Sequence, residues 1–117
     1  MALTFTWLTT DFATAPQLVA DDMAQAAAAG FRSVVNNRPD LEGGPSQPSS
    51  QTMQQAAKAA GLEYVFLPVQ SSYQSPAEIA RMHQLLQQLP KPVLGFCRSG
   101  ARTANLFHAA QALASED

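Results

Sequence analysis

The sequence predicts an α/β fold: a central, mostly parallel sheet of four to five strands flanked by helices. Three observations carry this. Short β-rich or apolar runs alternate with longer segments whose apolar residues recur at helical spacing. Glycine and proline punctuate nearly every junction between them. Alternation of this kind implies βαβ crossovers, which lay strands parallel and put helices on both faces.

Residues 3–8, with Phe5, Thr6 and Trp7, read as the first strand. Thr14-Ala15-Pro16-Gln17 has capping-box spacing with proline near the first turn, so a helix is expected from there to about Ala29, stopped by Gly30. Val19, Met23 and Ala26 would be its apolar stripe. Residues 31–36 form a short buried strand and residues 37–49 a turn-rich loop. Residues 50–60 are an Ala/Gln-rich helix ended by Gly61, and residues 62–69 the next strand. Ser75-Pro76-Ala77-Glu78 is a second capping box, opening a helix with Ile79, Met82, Leu86 and Leu89 on one face. Residues 91–96 make another strand, followed by a cysteine loop and a last helix carrying Leu106, Ala109, Ala110 and Leu113.

A chain of 117 residues is expected to form one domain, 1–117, burying roughly two thirds of its unfolded surface. With 7 basic against 9 acidic side chains it carries no electrostatic footprint for nucleic acid or an anionic membrane. One cysteine permits no internal disulfide and suits a reducing compartment. The first residues have neither a basic nor a long apolar region, and no stretch approaches the ~18 apolar residues of a membrane span, so a cytoplasmic protein is expected. His83 and His108 have no cysteine or acidic neighbour at ligand spacing, so neither metal nor cofactor is implied.

The chemistry concentrates in Cys97-Arg98-Ser99-Gly100-Ala101-Arg102-Thr103. A lone cysteine after an apolar run is commonly an inert core residue. Two arginines and a glycine in the next five positions have no use in a core, and they favour a reactive thiol. Loop N–H groups, the dipole of the following helix and the charges of Arg98 and Arg102 would all stabilise a thiolate. The same donors would hold a small anionic substrate beside the sulfur. In an open parallel sheet ligands gather beyond the carboxyl ends of the strands. Residues 9–12, 36–42, 70–75 and the cysteine loop are therefore expected on one edge.

The succession Gly30-Phe31-Arg32-Ser33-Val34-Val35-Asn36-Asn37-Arg38-Pro39-Asp40, then Gly61-Leu62-Glu63-Tyr64-Val65-Phe66-Leu67-Pro68-Val69, then the cysteine loop, resembles the phosphatase-like domain of the beta-lactamase-hydrolase-like protein family. The resemblance covers nearly the whole chain. It implies a dual-specificity-phosphatase-like fold and, in some members, a fused sulfur dioxygenase domain, which makes such a domain an expected partner. It further implies that Cys97 is the nucleophile, Arg102 the bidentate clamp, and the backbone of Arg98, Ser99, Gly100 and Ala101 the anion nest. Thr103 follows where phosphatases often place a hydroxyl near the thiol; a helix cap is the other reading.

Three departures qualify the resemblance. Tyrosine phosphatases have one residue more between cysteine and arginine, and usually a histidine where this chain has Phe96. Their acid-bearing loop corresponds to residues 69–75, which hold no carboxylate. Asp40 is the expected replacement, with Glu42 the other candidate, and a solvated turn at Arg38-Pro39-Asp40 the competing reading. Arg38 would either add a cation to the site or pair with Asp40. The loop Cys-Arg-Ser-Gly-x-Arg also resembles the active loop of rhodanese-type sulfurtransferases, where cysteine carries a persulfide. Three functions are thus expected in competition: a phosphatase-like hydrolase acting on a phosphate ester, a sulfurtransferase acting on a sulfane-sulfur donor, and a non-catalytic anion-binding module.

Overall fold

A computed structural model describes residues 3–116, with side chains through residue 113. In chain order the elements are β1 (Thr6–Trp7), β2 (Phe12–Ala15), α1 (Asp22–Ala28), β3 (Ser33–Asn36), α2 (Ser50–Ala59), β4 (Glu63–Phe66), α3 (Pro76–Gln88), β5 (Val93–Phe96) and α4 (Ala101–Glu116). The sheet runs β1-β2-β5-β3-β4, with β1 antiparallel to β2 and every other pairing parallel. The last strand in sequence is thus the central one, flanked in register by Phe12 to Ala15 on one side and Ser33 to Asn36 on the other.

Side-chain alternation along the strands divides the core between two faces. Ala13, Ala15, Val34, Leu94 and Phe96 pack with Met23 and Ala26 of α1 and Met53 and Ala57 of α2. Phe12, Val35 and Val93 pack with Met82 of α3 and Leu106, Phe107 and Ala110 of α4. β2, β3 and β5 are buried along their whole lengths, as strands covered on both faces must be. Gly95 is required at its place in β5: a Cβ there would stand 2.6 Å from Thr103 Cγ2 and 2.8 Å from Phe12 Cζ. Its missing side chain lets the first turn of α4 settle directly on the central strand. The Ser75–Glu78 capping box closes as expected, with Ser75 accepting from the Glu78 N–H and Glu78 from the Ser75 N–H.

The amino-terminal quarter departs from expectation. Thr14-Ala15-Pro16-Gln17 does not open a helix; Thr14 and Ala15 finish β2, and α1 begins at Asp22. Pairing with both β1 and β5 engages this backbone, and that non-local ladder overrides the local cap signal. The small side chains of Ala13 and Ala15 left the strand almost without a hydrophobic signature. The consequence is topological. Leu8 and Thr9 donate to the Phe12 carbonyl in a hairpin, so residues 9–11 lie at the amino edge of the sheet beside the start of β5, where Val93 donates to the Asp11 carbonyl. The expectation that residues 9–12 lie on the site's edge of the sheet is therefore corrected: the segment after β2 lies there, with Gln17 bonded to Arg98 and Arg38.

Candidate active site

Cys97 directly follows β5, at the carboxyl edge of the central strand, and is 1% exposed. The chain then turns back sharply. Gly100 takes φ +96°, a left-handed conformation that costs glycine little, and its N–H donates to Cys97 Sγ at 3.1 Å. Ser99 Oγ accepts the Ala101 N–H at 3.3 Å, and the Ala104 N–H reaches the Gly100 carbonyl at 3.0 Å, launching α4. Gln17, in the segment after β2, braces the loop by donating its N–H to the Arg98 carbonyl at 3.1 Å.

Two influences compete on the sulfur. Burial pushes the Cys97 thiol up, since a thiolate loses its hydration. Hydrogen bonds from the Thr103 N–H and hydroxyl and from the Gly100 and Ser99 N–H groups oppose this, and the balance lies below the ordinary thiol value.

Arg102 sits on the first turn of α4 and is 7% exposed. Its Nη1 donates to the Val69 carbonyl and to Glu42 Oε2, both at 3.0 Å, and Nη2 donates to Glu42 Oε1 at 2.9 Å. This is a two-pronged guanidinium–carboxylate pair. Arg38 Nε donates to the same Glu42 Oε1 at 3.0 Å, while its Nη1 donates to Gln17 Oε1 at 3.1 Å. Two guanidinium groups beside one carboxylate, Arg102 foremost, hold Glu42 below the usual carboxylate value despite partial burial. Arg102 Nε is buried with no hydrogen-bond partner. Arg38, Glu42, Gly43, Ser71, Arg98 and Arg102 line an open pocket of about 620 Å³. The exposed Arg98 brings a third cation to its rim.

A sulfur inclined to ionise, main-chain donors around it and a buried guanidinium N–H without an acceptor together suit the capture of a small anion. Residues 4–114 match the family model of the phosphatase-like domain of the beta-lactamase hydrolase-like proteins. The chain belongs to that family. A beta-lactamase hydrolase-like protein of Agrobacterium fabrum is 36% identical over 92 residues, which cover 79% of this chain and 21% of that protein. The chain thus spans about a fifth of the length of that curated relative. Among solved structures, a candidate phosphatase from Neisseria meningitidis is 31% identical with a TM-score of 0.80, covering 86% of this chain and 71% of that one. The core catalytic domain of a PP-IP phosphatase from S. cerevisiae shares the fold at 13% identity, with a TM-score of 0.72 over 97% of this chain and 68% of that one. The α/β fold of this phosphatase-like domain is that of the cysteine phosphatases.

Of the loop residues, Ser99, Gly100 and Thr103 bear on Cys97, Arg98 and Arg102 line the pocket, and Ala101 opens α4 with its N–H on Ser99 Oγ. Asp40 stands apart in its engagement: exposed, it uses Oδ1 to accept the Ser50 N–H at 2.8 Å, capping the start of α2. Glu42, two residues on, is the carboxylate that reaches the pocket. Arg38 pairs with Glu42 and not with Asp40. Tyr73 is 62% exposed and His108 is exposed on α4, neither within the pocket lining. Sequence reasoning passed over Gln17, which its expected helix had absorbed, and Asn37, whose amide lies 0% exposed behind the loop. The Asn36-Asn37 pair at a strand end was the only signal for the latter.

Proposed function

We propose that this chain is a cysteine-dependent phosphatase-type hydrolase. The observation that carries the reading is the buried, unpartnered Arg102 Nε in the same turn as a sulfur ringed by main-chain N–H groups. The Cys97 thiolate attacks phosphorus; an S–P bond forms as the P–O bond to the leaving group breaks. Water then cleaves the S–P bond, releasing phosphate and restoring the thiolate. Arg102 and the N–H groups from Arg98 to Ala101 hold the phosphoryl oxygens. Family membership and the shared fold of cysteine phosphatases support this reading.

Neither carboxylate of the loop after β3 is arranged as an acid: Asp40 caps α2 and Glu42 is held ionised by two arginines. Poor leaving groups then forfeit about 100- to 10,000-fold, so activated aryl phosphates are the expected substrates. The test is turnover of para-nitrophenyl phosphate with vanadate as inhibitor. Activity should disappear, by about 10,000-fold or more, in Cys97→Ser. Turnover unchanged by that substitution would defeat the proposal.

One observation favours a second reading. The loop has only four residues between Cys97 and Arg102, and the segment 69–75 bears no acid. In sulfur transfer from thiosulfate, the thiolate forms an S–S bond to the outer sulfur while the donor's own S–S bond breaks. Sulfite then leaves with the electron pair and needs no proton. Mass spectrometry after thiosulfate should in that case find one added sulfur on Cys97, and an unmodified thiol would remove this reading.

A further inference from the structure

The pocket holds more donors than one phosphoryl group can use. Glu42 takes the end of the Arg102 guanidinium through Nη1 and Nη2, and the Nε edge remains for the group under attack. Arg38 is a second, separate donor. Its side chain is 10% exposed, and its plane is pinned by Nε on Glu42 Oε1 and by Nη1 on Gln17 Oε1. Nη2 has no hydrogen-bond partner among the described residues. Arg38 Nε and Arg102 Nη2 donate to the same carboxylate oxygen, so the two guanidinium groups stand side by side.

Gly43 keeps that free nitrogen uncovered. A Cβ at this position would stand 2.6 Å from Arg38 Nη2 and 3.2 Å from Cζ. Gly43 does not take the left-handed conformation that Gly44 adopts at φ +91°, so glycine here serves the space over Arg38 and not a turn. Gly43, Arg38 and the exposed Arg98 all line the pocket of about 620 Å³, within the range of about 300–1,000 Å³ that holds whole small molecules.

Leaving-group chemistry says what the second group is. Asp40 and Glu42 are both engaged, so the loop after β3 delivers no proton and the departing oxygen must leave as an anion that cations stabilise. Phosphate leaving from an anhydride is such an anion. It is joined to the attacked phosphorus through one oxygen and lies beside it, as Arg38 lies beside Arg102. We propose that the pocket holds two adjacent phosphoryl groups, and that the substrates of this site are phosphoanhydrides, compounds ending in a diphosphate. The substrate class rests on the phosphatase reading above. The Cys97 thiolate attacks the terminal phosphorus; the S–P bond forms, the bridging P–O bond breaks, and the departing phosphate keeps the electron pair. Arg38 and Arg98 take up its negative charge where an alcohol would need a proton. Water then cleaves the S–P bond, releasing the second phosphate and a proton to solvent.

The experiment compares inorganic pyrophosphate with inorganic phosphate and para-nitrophenyl phosphate in metal-free buffer. By calorimetry, the Cys97→Ser chain should bind pyrophosphate about tenfold more tightly than phosphate, or better. Adding Arg38→Gln should cut that advantage to below about threefold. Gly43→Ala keeps every charge and only crowds Nη2, so the loss of about threefold expected from it separates local donation from general attraction. In the native chain kcat/KM should be higher for pyrophosphate than for para-nitrophenyl phosphate, although the two leaving groups are of similar basicity. Equal affinities for the two anions, or an advantage that survives both Arg38→Gln and Gly43→Ala, overturns the proposal. If Arg38→Gln does not fold, Gly43→Ala decides by the same ratio. Turnover of para-nitrophenyl phosphate without turnover of pyrophosphate would overturn the substrate class and leave the phosphatase reading intact. Turnover of neither would sink that reading and the substrate class together, while the binding ratio still judges the two-phosphoryl site.

Discussion

At the carboxyl edge of the sheet, the segments after β3, β4 and β5 line a pocket with three arginines and one carboxylate, Gln17 after β2 bonds one of those arginines, and the buried Cys97 directly precedes another. At the amino edge, the same strands leave a smaller cavity of about 210 Å³, lined by Thr9, Asp11, Phe12, Leu86, Lys91 and Phe107 among others. There the one lysine is occupied, with Nζ donating to the Leu86 carbonyl at 2.7 Å, and no guanidinium joins the lining. The contrast comes from chain direction. Parallel strands deliver their outgoing loops, and the N-terminus of the helix that follows β5, to one edge only, so donors accumulate there. At the other edge strands begin, and the lining mixes apolar side chains with Thr9, Asp11 and a lysine spent on a carbonyl.

The widest separation between the edges is expected from Arg102→Ala. It removes the orphaned Nε and both prongs on Glu42, and should cost about 100- to 1,000-fold in kcat/KM for an aryl phosphate. Retention of full activity would mean that the guanidinium does not face the substrate. Next comes Gly95→Ala, which forces a methyl against Thr103 and Phe12 in the central strand. Thermal or urea unfolding should show a loss of about 1–3 kcal/mol. An unchanged midpoint would show that α4 can lift from the sheet without penalty.

Glu42→Gln is expected to act more gently, through pH. The native Glu42 carboxyl is depressed, so its contribution to stability is fully present above its unfolded value of about 4.3 and is lost as pH falls through the lower folded value. With 31% of the side chain exposed, that contribution should stay under about 1 kcal/mol. The variant's Tm should therefore depend less on pH below that value, and parallel Tm–pH curves for the two proteins would contradict the pairing. Smallest of all is Lys91→Met at the amino edge, which should leave Cys97 alkylation within about twofold of native while touching only the local carbonyl. A larger change would show that the two edges communicate.

How much of this was legible in the sequence follows from how local each determinant is. The cysteine loop could be read because its donors are consecutive residues, so the turn assembles them wherever it folds. The helix from Pro76 to Gln88 could be read because Ser75 and Glu78 cap it within its own first turn. β2 could not, since four small or mixed residues become a strand only when β5, some eighty positions later, pairs with them. Glu42 reaches Arg102 across a separation of 60 residues, and Asn37 reaches Thr103 across 66. No local pattern marks such partners. The choice of Asp40 as the stand-in acid shows the same limit: turn chemistry placed a carboxylate on the right loop, but which one faces the arginines depends on the loop's path.

The central claim is that main-chain N–H groups offset burial and leave Cys97 charged more readily than an ordinary thiol. Alkylation of the native chain as a function of pH, with Cys97→Ser as the blank, tests it without any assumption about substrate. The midpoint should fall below the value of about 8.5 typical of free cysteine. A midpoint at or above that value would mean that desolvation wins, and that the sulfur is core packing, not chemistry.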